Sequence, residues 1–311
     1  MFKKIKYYIN NLGKAVCLLG YHKFFFWLSD RAFIKLVWRL RYHTKLNLSA
    51  PTGYAEKIQW LKLYDHNPIY PVLVDKLSVR DYIADLIGSK YLIPLHSVFD
   101  SVKSIDWESL PNKFVMKCTH DSGYVLVCKD KTVMNIKLKS KELSKRYRRS
   151  IYWYGREWQY KHLKPKILVE QLIESNSEYG LIDYKVFCFN GKAKLIQVHT
   201  GRFTNHIQQF YDLEWNLTDI SHIDIPSTNE YTVEKPDCYN EMIELSEKLS
   251  QVTCHARIDW YYAQGKLYFS EFTFYDGSGF VSFSNPEHDL LLGSWIDLSK
   301  VIRKEKNIKI K

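Results

Sequence analysis

The sequence predicts an α+β fold, and three observations carry that prediction. Two segments read as β-hairpins closed by two-residue turns, Asn190-Gly191 and Gln264-Gly265. Between and before them, apolar residues recur at helical spacing. The 311 residues are 46% hydrophobic and 25% charged, an ordinary globular composition with enough chain to bury a core. That composition excludes a mostly disordered chain, a collagen and a coiled coil. The longest apolar runs, such as 24–28, fall far short of the ~20 residues that a membrane span needs. Lys3, Lys4 and Lys6 open the chain, but Lys14, His22 and Lys23 interrupt the apolar residues after them and no small-residue cleavage site appears, so no secretory signal is read. Six cysteines stand at 17, 118, 128, 188, 238 and 254 without a CxxC spacing, which argues against a structural zinc site and for a reduced, cytoplasmic protein.

Residues 1–50 read as a helical region. Ser29 before Asp30 caps a helix that runs through Leu40. Phe33, Leu36, Val37 and Leu40 share one face, and Arg31, Lys35 and Arg39 another. Such a helix packs on a core or lies on an anionic membrane surface, and core packing is the favoured reading. Pro51 opens a second segment. A helix is expected over 55–64, Pro68 and Pro71 break the chain after it, and a helix over 79–87 stops at Gly88. Short apolar runs bounded by turn residues predict strands at 91–93, 114–118, 125–128 and 167–172. The first hairpin pairs 184–189 with 193–198 across Asn-Gly, the strongest such signal in the chain. A helix is expected over 241–252, and the second hairpin pairs 257–262 with 267–272. Hairpins interleaved with helices indicate α+β rather than a parallel α/β sheet.

The net charge of +11 is unevenly spread. Residues 131–166 hold twelve Lys or Arg and two acids, Glu142 and Glu157, a net of +10. Tyr147, Tyr152, Trp153, Tyr154, Trp158 and Tyr160 interleave with them. One reading is a solvated helix over 138–149 followed by rings that pack inward. The other is a surface for a polyanion with ring faces for stacking. No helix-turn-helix, zinc-finger or RNA-recognition signature is present, so an acidic glycan is expected and no nucleic acid. Arg146, Arg148 and Arg149 are the expected glycan contacts.

The second hairpin carries the chemistry. Arg257 and Asp259 lie two apart on one strand, Glu271 and Thr273 two apart on the next, so each pair shares a face. Two acids aimed at one spot beside an arginine suit a divalent cation and phosphate. Gly277-Ser278-Gly279 lies just beyond and allows close approach to backbone. Earlier, Lys117 ends an apolar strand before the turn His120-Asp121-Ser122-Gly123, a lysine with backbone amides that can clamp phosphates. Glu170 ends a strand and leads into Gln171-Leu172, whose backbone can meet an adenine edge. Asp75-Lys76 precedes a helix with Arg80 one turn on, which brings two cations together.

In that order these pieces resemble the ATP-grasp superfamily, and more closely its TupA-like branch, over about residues 51–298. The branch's flavour shows in Glu56-Lys57-Ile58-Gln59-Trp60, Asp183-Tyr184-Lys185-Val186-Phe187, Phe189-Asn190-Gly191-Lys192 and Ser270-Glu271-Phe272-Thr273-Phe274. The resemblance implies two α+β subdomains gripping ATP. They would be a small one over 111–172 and a large one over 173–300, preceded by a segment 51–110 with the first nucleotide lysine and followed by a basic tail, 301–311. It implies ATP and Mg²⁺ as cofactors. Lys76, Lys117, His120, Ser122, Gly123, Glu170, Gln171, Leu172 and Asp183 would meet the nucleotide, and Asp259, Glu271 and Thr273 the metal. Arg257, Lys185 and Arg202 would serve the reacting groups, the last two by holding a substrate carboxylate or glycan anion. Three departures stand out. Thr273 replaces the usual Asn, Asp121 puts a negative charge in the phosphate loop, and no N-terminal Rossmann-like subdomain is evident.

The family implies an ATP-dependent carboxylate–amine ligase working through an acyl phosphate, tied to polysaccharide and teichuronopeptide biosynthesis. The expected partners are an anionic glycan or lipid-linked uronic acid and an amino acid or amine, inside the cell, with peripheral contact at the inner face of the membrane left open. A kinase on the same fold, and a glycosyltransferase or non-enzymatic glycan-binding protein, remain the alternatives.

Overall fold

The computed structural model describes residues 11–175 and 177–301. The basic tail beyond Val301 and the first ten residues of the N-terminal helical region lie outside the described residues. The α+β expectation holds: two antiparallel sheets are flanked by helices. A four-stranded sheet is built from β1 (Leu95–Phe99), β2 (Phe114–Cys118), β3 (Leu126–Cys128) and β4 (Ile167–Glu170) in the order β1-β4-β2-β3. A five-stranded sheet is built from β5 (Asp183–Phe189), β6 (Lys192–Thr200), β7 (Ile207–Tyr211), β8 (His255–Ala263) and β9 (Lys266–Thr273) in the order β7-β6-β5-β8-β9.

Both two-residue turns form as their sequences dictate. Asn190 and Gly191 have φ of 52° and 77°, and Gln264 and Gly265 of 54° and 72°. Positive φ at both central residues is what matches a turn to the twist of its strands. The strand expected at 91–93 does not form. Gly88, at φ 108°, turns the chain into a 3₁₀ segment, Ser89–Tyr91, and the strand begins only after Pro94, as β1. The strand expected at 167–172 stops at Glu170. Strand β7 has no clear sequence signal, because Gln208 and Gln209 break its apolar pattern yet are buried, with their amides bonded to backbone carbonyls.

The large sheet buries one face under helix α8 (Tyr239–Ser250), where Trp260 Nε1 donates to Ser246 Oγ at 2.8 Å. Helix α3 (Tyr54–Tyr64) packs at its end, with the Tyr54 hydroxyl 3.0 Å from His255 Nε2. The small sheet has its own core of Phe114, Met116, Ile167 and Val169, capped by Leu143 of α6 (Ile136–Tyr147). The N-terminal pair, α1 (Leu12–Gly20) and α2 (Asp30–Tyr42), forms a helical hairpin. Ser29 caps α2 by accepting from the Ala32 N–H at 3.2 Å. Phe33, Ile34, Val37 and Trp38 are buried and Arg31, Lys35 and Arg39 lie on the opposite side, so the apolar face of α2 lies on the core. Helix α4 (Tyr70–Val74) packs on β9 and on α5 (Val79–Leu86), α7 (Ile151–Gly155) packs on α1, and α9 (Pro286–Trp295) packs on α3.

Candidate active site

Strand register builds the site. Gln197 of β6 pairs with Lys185 of β5, Lys185 with Asp259 of β8, and Asp259 with Glu271 of β9. Directly opposed residues share a face, so these four side chains form one row across the sheet. The next row holds His199 and Asp183, and on the other side Arg257 is opposite Thr273. A bulge sets the phase of β9: Asp259 pairs with Glu271 but Trp260 with Phe269, leaving Ser270 over. Without it, Phe269 and Glu271 would point the same way. With it, Phe269 and Phe272 join the core and Glu271 turns to the polar face.

The row is densely paired. Arg257 donates Nε to Asp259 Oδ1 at 2.7 Å and Nη2 to Asp259 Oδ2 at 2.9 Å, and its Nη1 is held by Asp276. Its Nη2 also reaches Thr273 Oγ1 at 3.2 Å. Lys185 contacts Asp259 Oδ2 and lies 3.8 Å from Asp183. Arg202 pairs with Asp183, whose other oxygen is buried without a partner. Burial alone would raise the Glu271 pKa, but Lys76, Lys185, Arg257 and Arg202 overcome that and hold it at about 2. Glu271 is therefore a fixed negative charge.

The small sheet supplies the opposite wall. Lys76 sits in the turn before α5. Its ammonium donates to the Asp121 carbonyl at 2.9 Å and lies 3.3 Å from Glu271, so it ties the two sheets together. Lys117 of β2 and Arg80 of α5 both pair with Glu170 at the end of β4, at 2.8 and 3.2 Å. Ser122 and Gly123 line a cavity of ≈ 450 Å³ together with Lys185, Arg257, Glu271 and Thr273. A smaller cleft lies between Lys76, Arg80, Lys117 and Glu170. Gln171 and Leu172 come directly after β4, and the Gln171 N–H donates to the Pro94 carbonyl at 2.9 Å.

Two expectations are corrected. His120 does not face the cavity: it is buried, donates Nε2 to the Arg149 carbonyl at 2.8 Å, and burial lowers its pKa. Arg146 is not a free glycan contact. Its Nε meets the buried Asp121 carboxylate at 2.5 Å and its Nη2 the Ser122 carbonyl at 2.5 Å, so it neutralises the acid in the turn after β2. Several rings of 131–166 also pack inward. Tyr152 and Tyr147 hydroxyls donate to Asp30 and to backbone carbonyls, and Trp158 Nε1 donates to the Asp65 carbonyl. Arg148 stays exposed.

Sequence reasoning misses Glu157, which reads only as a stray acid in the basic segment. It lines the cavity, accepts from Ser278 Oγ at 2.5 Å, and is raised by burial to about 7. Beneath it the buried Lys62 donates to the Gly155 and Ser278 carbonyls at 2.6 and 2.7 Å, and burial lowers its pKa to about 8. Gly277 and Ser278 line the cavity, whereas Gly279 is packed on α3, where a Cβ would stand 2.5 Å from Ile58. At the far end stand Gln197, His199 and His206, the two histidines 2.6 Å apart, and His199 Nε2 is buried without a partner. Burial, then the cations Lys185 and Arg257, keeps His199 neutral.

The donor set fits Mg²⁺ in kind. Glu271 and Thr273 line the cavity as oxygen donors, and Mg²⁺ takes few protein ligands and completes its shell with phosphate and water. Asp259, opposite Glu271 in register, is fully buried with both oxygens held by Arg257 and Lys185, so it would join them only on giving up one of those cations. Among the described residues no group of three or more His, Cys, Asp or Glu side chains is arranged to hold an ion unaided.

A family model described as TupA-like ATPgrasp matches residues 56–297. No curated protein matches the chain. Among solved structures, it is similar to a D-alanine–D-alanine ligase from Bacillus anthracis, at 14% identity and a TM-score of 0.38 over 65% of this chain and 57% of that one. It is also similar to the D-alanine–D-alanine ligase of Helicobacter pylori, at 12% identity and a TM-score of 0.41 over 79% and 70%. A third is a macrocyclase bound with its precursor peptide from Microcystis aeruginosa, at 10% identity and a TM-score of 0.35 over 74% and 64%. The chain spans just over half the length of the first of these.

Proposed function

The chain belongs to the TupA-like ATP-grasp family, and we propose that it is a ligase that uses ATP to join a carboxylate to an amine. The observation that carries this reading is the row Lys185–Asp259–Glu271, flanked by Arg257, with Lys76 3.3 Å from Glu271 and with Lys185, Arg257 and Glu271 lining one cavity together with Glu157. A carboxylate is a poor electrophile because its leaving group would be oxide. Attack of its oxygen on the ATP γ-phosphorus expels ADP and leaves an acyl phosphate. An amine nitrogen then attacks the acyl carbon, and phosphate leaves with the electron pair of the broken C–O bond. Bound Mg²⁺, held by Glu271 and Thr273, and by Asp259 once Lys185 or Arg257 releases it, would offset charge on the transferring group.

The chain's own residues would do the rest. Lys76, Lys117 and Arg80 exchange their carboxylate partners for phosphates. Arg257, clamped between Asp259 and Asp276, offers a fixed charge where negative charge builds up. Glu157, with its raised pKa, accepts the proton that the amine sheds. For the acid we propose a uronic acid of a surface polysaccharide or its lipid-linked precursor, modified in the cytoplasm where ATP is supplied. Arg202 offers a cation, and Gln197 and His206 offer hydrogen-bonding groups along the cavity wall, which suits a polyhydroxylated acid.

The test is ADP release by the purified chain with Mg·ATP, screened against glucuronate and galacturonate with and without each amino acid. Release that needs both partners, with a product of the summed mass less water, is the expected result. Release with a sugar hydroxyl and no amine would make it a kinase. Failure to bind ATP would overturn the nucleotide reading altogether.

A further inference from the structure

We propose that the corner between α1 and α2, with the basic segment packed behind it, is a docking face for an anionic lipid bilayer. The corner presents Phe24, Phe26 and Trp27 to solvent at 57%, 67% and 60% exposure, beside Leu19 at 46%. Large rings at a bilayer's headgroup level bury apolar area, and surrounding cations are drawn to anionic headgroups. Both parts are present here. Residues 11–50 carry seven Lys or Arg and one acid, Asp30. That acid is already engaged: it accepts from the Tyr152 hydroxyl at 2.7 Å and lies 3.7 Å from Arg156.

The fold joins this corner to a second basic stretch more than a hundred residues away in sequence. Gly20 is packed so tightly on α7 that a Cβ there would stand 2.2 Å from the Trp153 carbonyl oxygen. The Lys23 ammonium lies 6.0 Å from the Trp153 ring and the Arg149 guanidinium 5.1 Å from the Tyr21 ring. Cations from both stretches, Lys23 and Arg149, therefore meet at the root of this corner. That charge selects the occupant. A second copy of the chain docking here would set like charges face to face, whereas an anionic bilayer complements both the rings and the cations. The contact is peripheral, because no described helix is long and apolar enough to cross a membrane. It is also distinct from the apolar face of α2, which the core covers. Tyr21 and Tyr154, their ring centroids 4.9 Å apart beside the corner, line the large cavity, so docking would hold the cavity close to the bilayer surface.

The experiment is co-sedimentation of the full chain with phosphatidylcholine vesicles, with and without about a third phosphatidylglycerol. Binding to the anionic vesicles should exceed binding to the neutral ones by at least about tenfold and weaken with salt. Phe24→Ser/Phe26→Ser/Trp27→Ser should cut it by at least about tenfold with an unchanged melting temperature. Lys23→Glu/Lys35→Glu should cut it most at low salt. No binding, equal binding to both vesicles, or binding that neither variant weakens would overturn the proposal. So would a dimer that the triple variant converts to a monomer while vesicles bind neither form, which would assign the patch to a second copy.

Discussion

Arg146→Ala should disable the loop that lines the phosphate side of the cleft while leaving the fold standing. Asp121 is 3% exposed, and one of its oxygens has no partner at all. The other accepts from Arg146 Nε at 2.5 Å, and Arg146 Nη2 holds the next carbonyl, of Ser122. Removing a partner from a fully buried ion pair costs about 3–5 kcal/mol, because the remaining charge is left uncompensated. The Arg146 side chain is 17% exposed, so water would take up part of that, and about 2–3 kcal/mol is the working figure. The loop can open to wet Asp121 at less cost than global unfolding, so the loss should fall on the loop. If ordering the loop is a condition of nucleotide binding, 2–3 kcal/mol is about a 30- to 150-fold loss in Mg·ATP affinity. Calorimetry against ATP, with a thermal melt as control, reads both effects. Asp121→Asn in the Arg146→Ala background removes the orphaned charge and should recover at least half of the lost free energy. An Arg146→Ala protein that binds ATP as the wild type does, or a double variant no better than the single, would refute the argument.

Three further outcomes are expected. Glu271→Gln should fold normally and lose at least about a hundredfold in turnover, since it removes the charge of the one hairpin carboxylate that lines the cavity; unchanged turnover at saturating Mg²⁺ would remove the metal role. Lys117→Ala should weaken ATP binding by about ten- to a hundredfold through loss of one charge-assisted contact, measured by calorimetry, and equal affinity would count against the cleft. Because burial holds the Glu157 carboxyl at about 7, and a base must be ionised to take a proton, turnover should climb with pH through about 7 and level off above it. Glu157→Gln should be slow and lack that limb, and a wild-type profile flat from about pH 6 to 8 would dismiss Glu157 as the base.

Much of the site is legible because its residues violate their local pattern. A glutamate within Tyr-Phe-Ser-Glu-Phe and an Arg-x-Asp in a strand advertise themselves, and the Gln-Gly turn says which strands meet. What the pattern cannot show is the bulge at Ser270. By alternation, Glu271 should share a face with Phe269, and only the pairing of Trp260 with Phe269 shows that it does not. Asp121 looks like an obstacle to phosphate because its counter-charge, Arg146, lies 25 residues on and reads as one of many surface cations. Glu157 is hidden for the converse reason: an acid in a basic stretch looks like dilution, and its role depends on Ser278 and Lys62, far away along the chain.

The residue pattern shows what short-range forces settle. It set the two hairpins, through residues that accept positive φ, the capped start of α2, the helix that stops at Gly88, and the α+β class. It also set the order of lysine, glutamate and metal-hairpin motifs that marks the family. Long-range packing settled which charges are free and which are spent. It committed Arg146 to the turn after β2, turned His120 and several of the rings of 131–166 inward, brought Glu157 into the cavity and left Phe24, Phe26 and Trp27 outside. The reason is one of range. A turn or a helix cap is settled by atoms a few residues apart, whereas the environment of a buried charge is made by partners from anywhere in the chain, and burial and pairing together determine what a charged side chain can do.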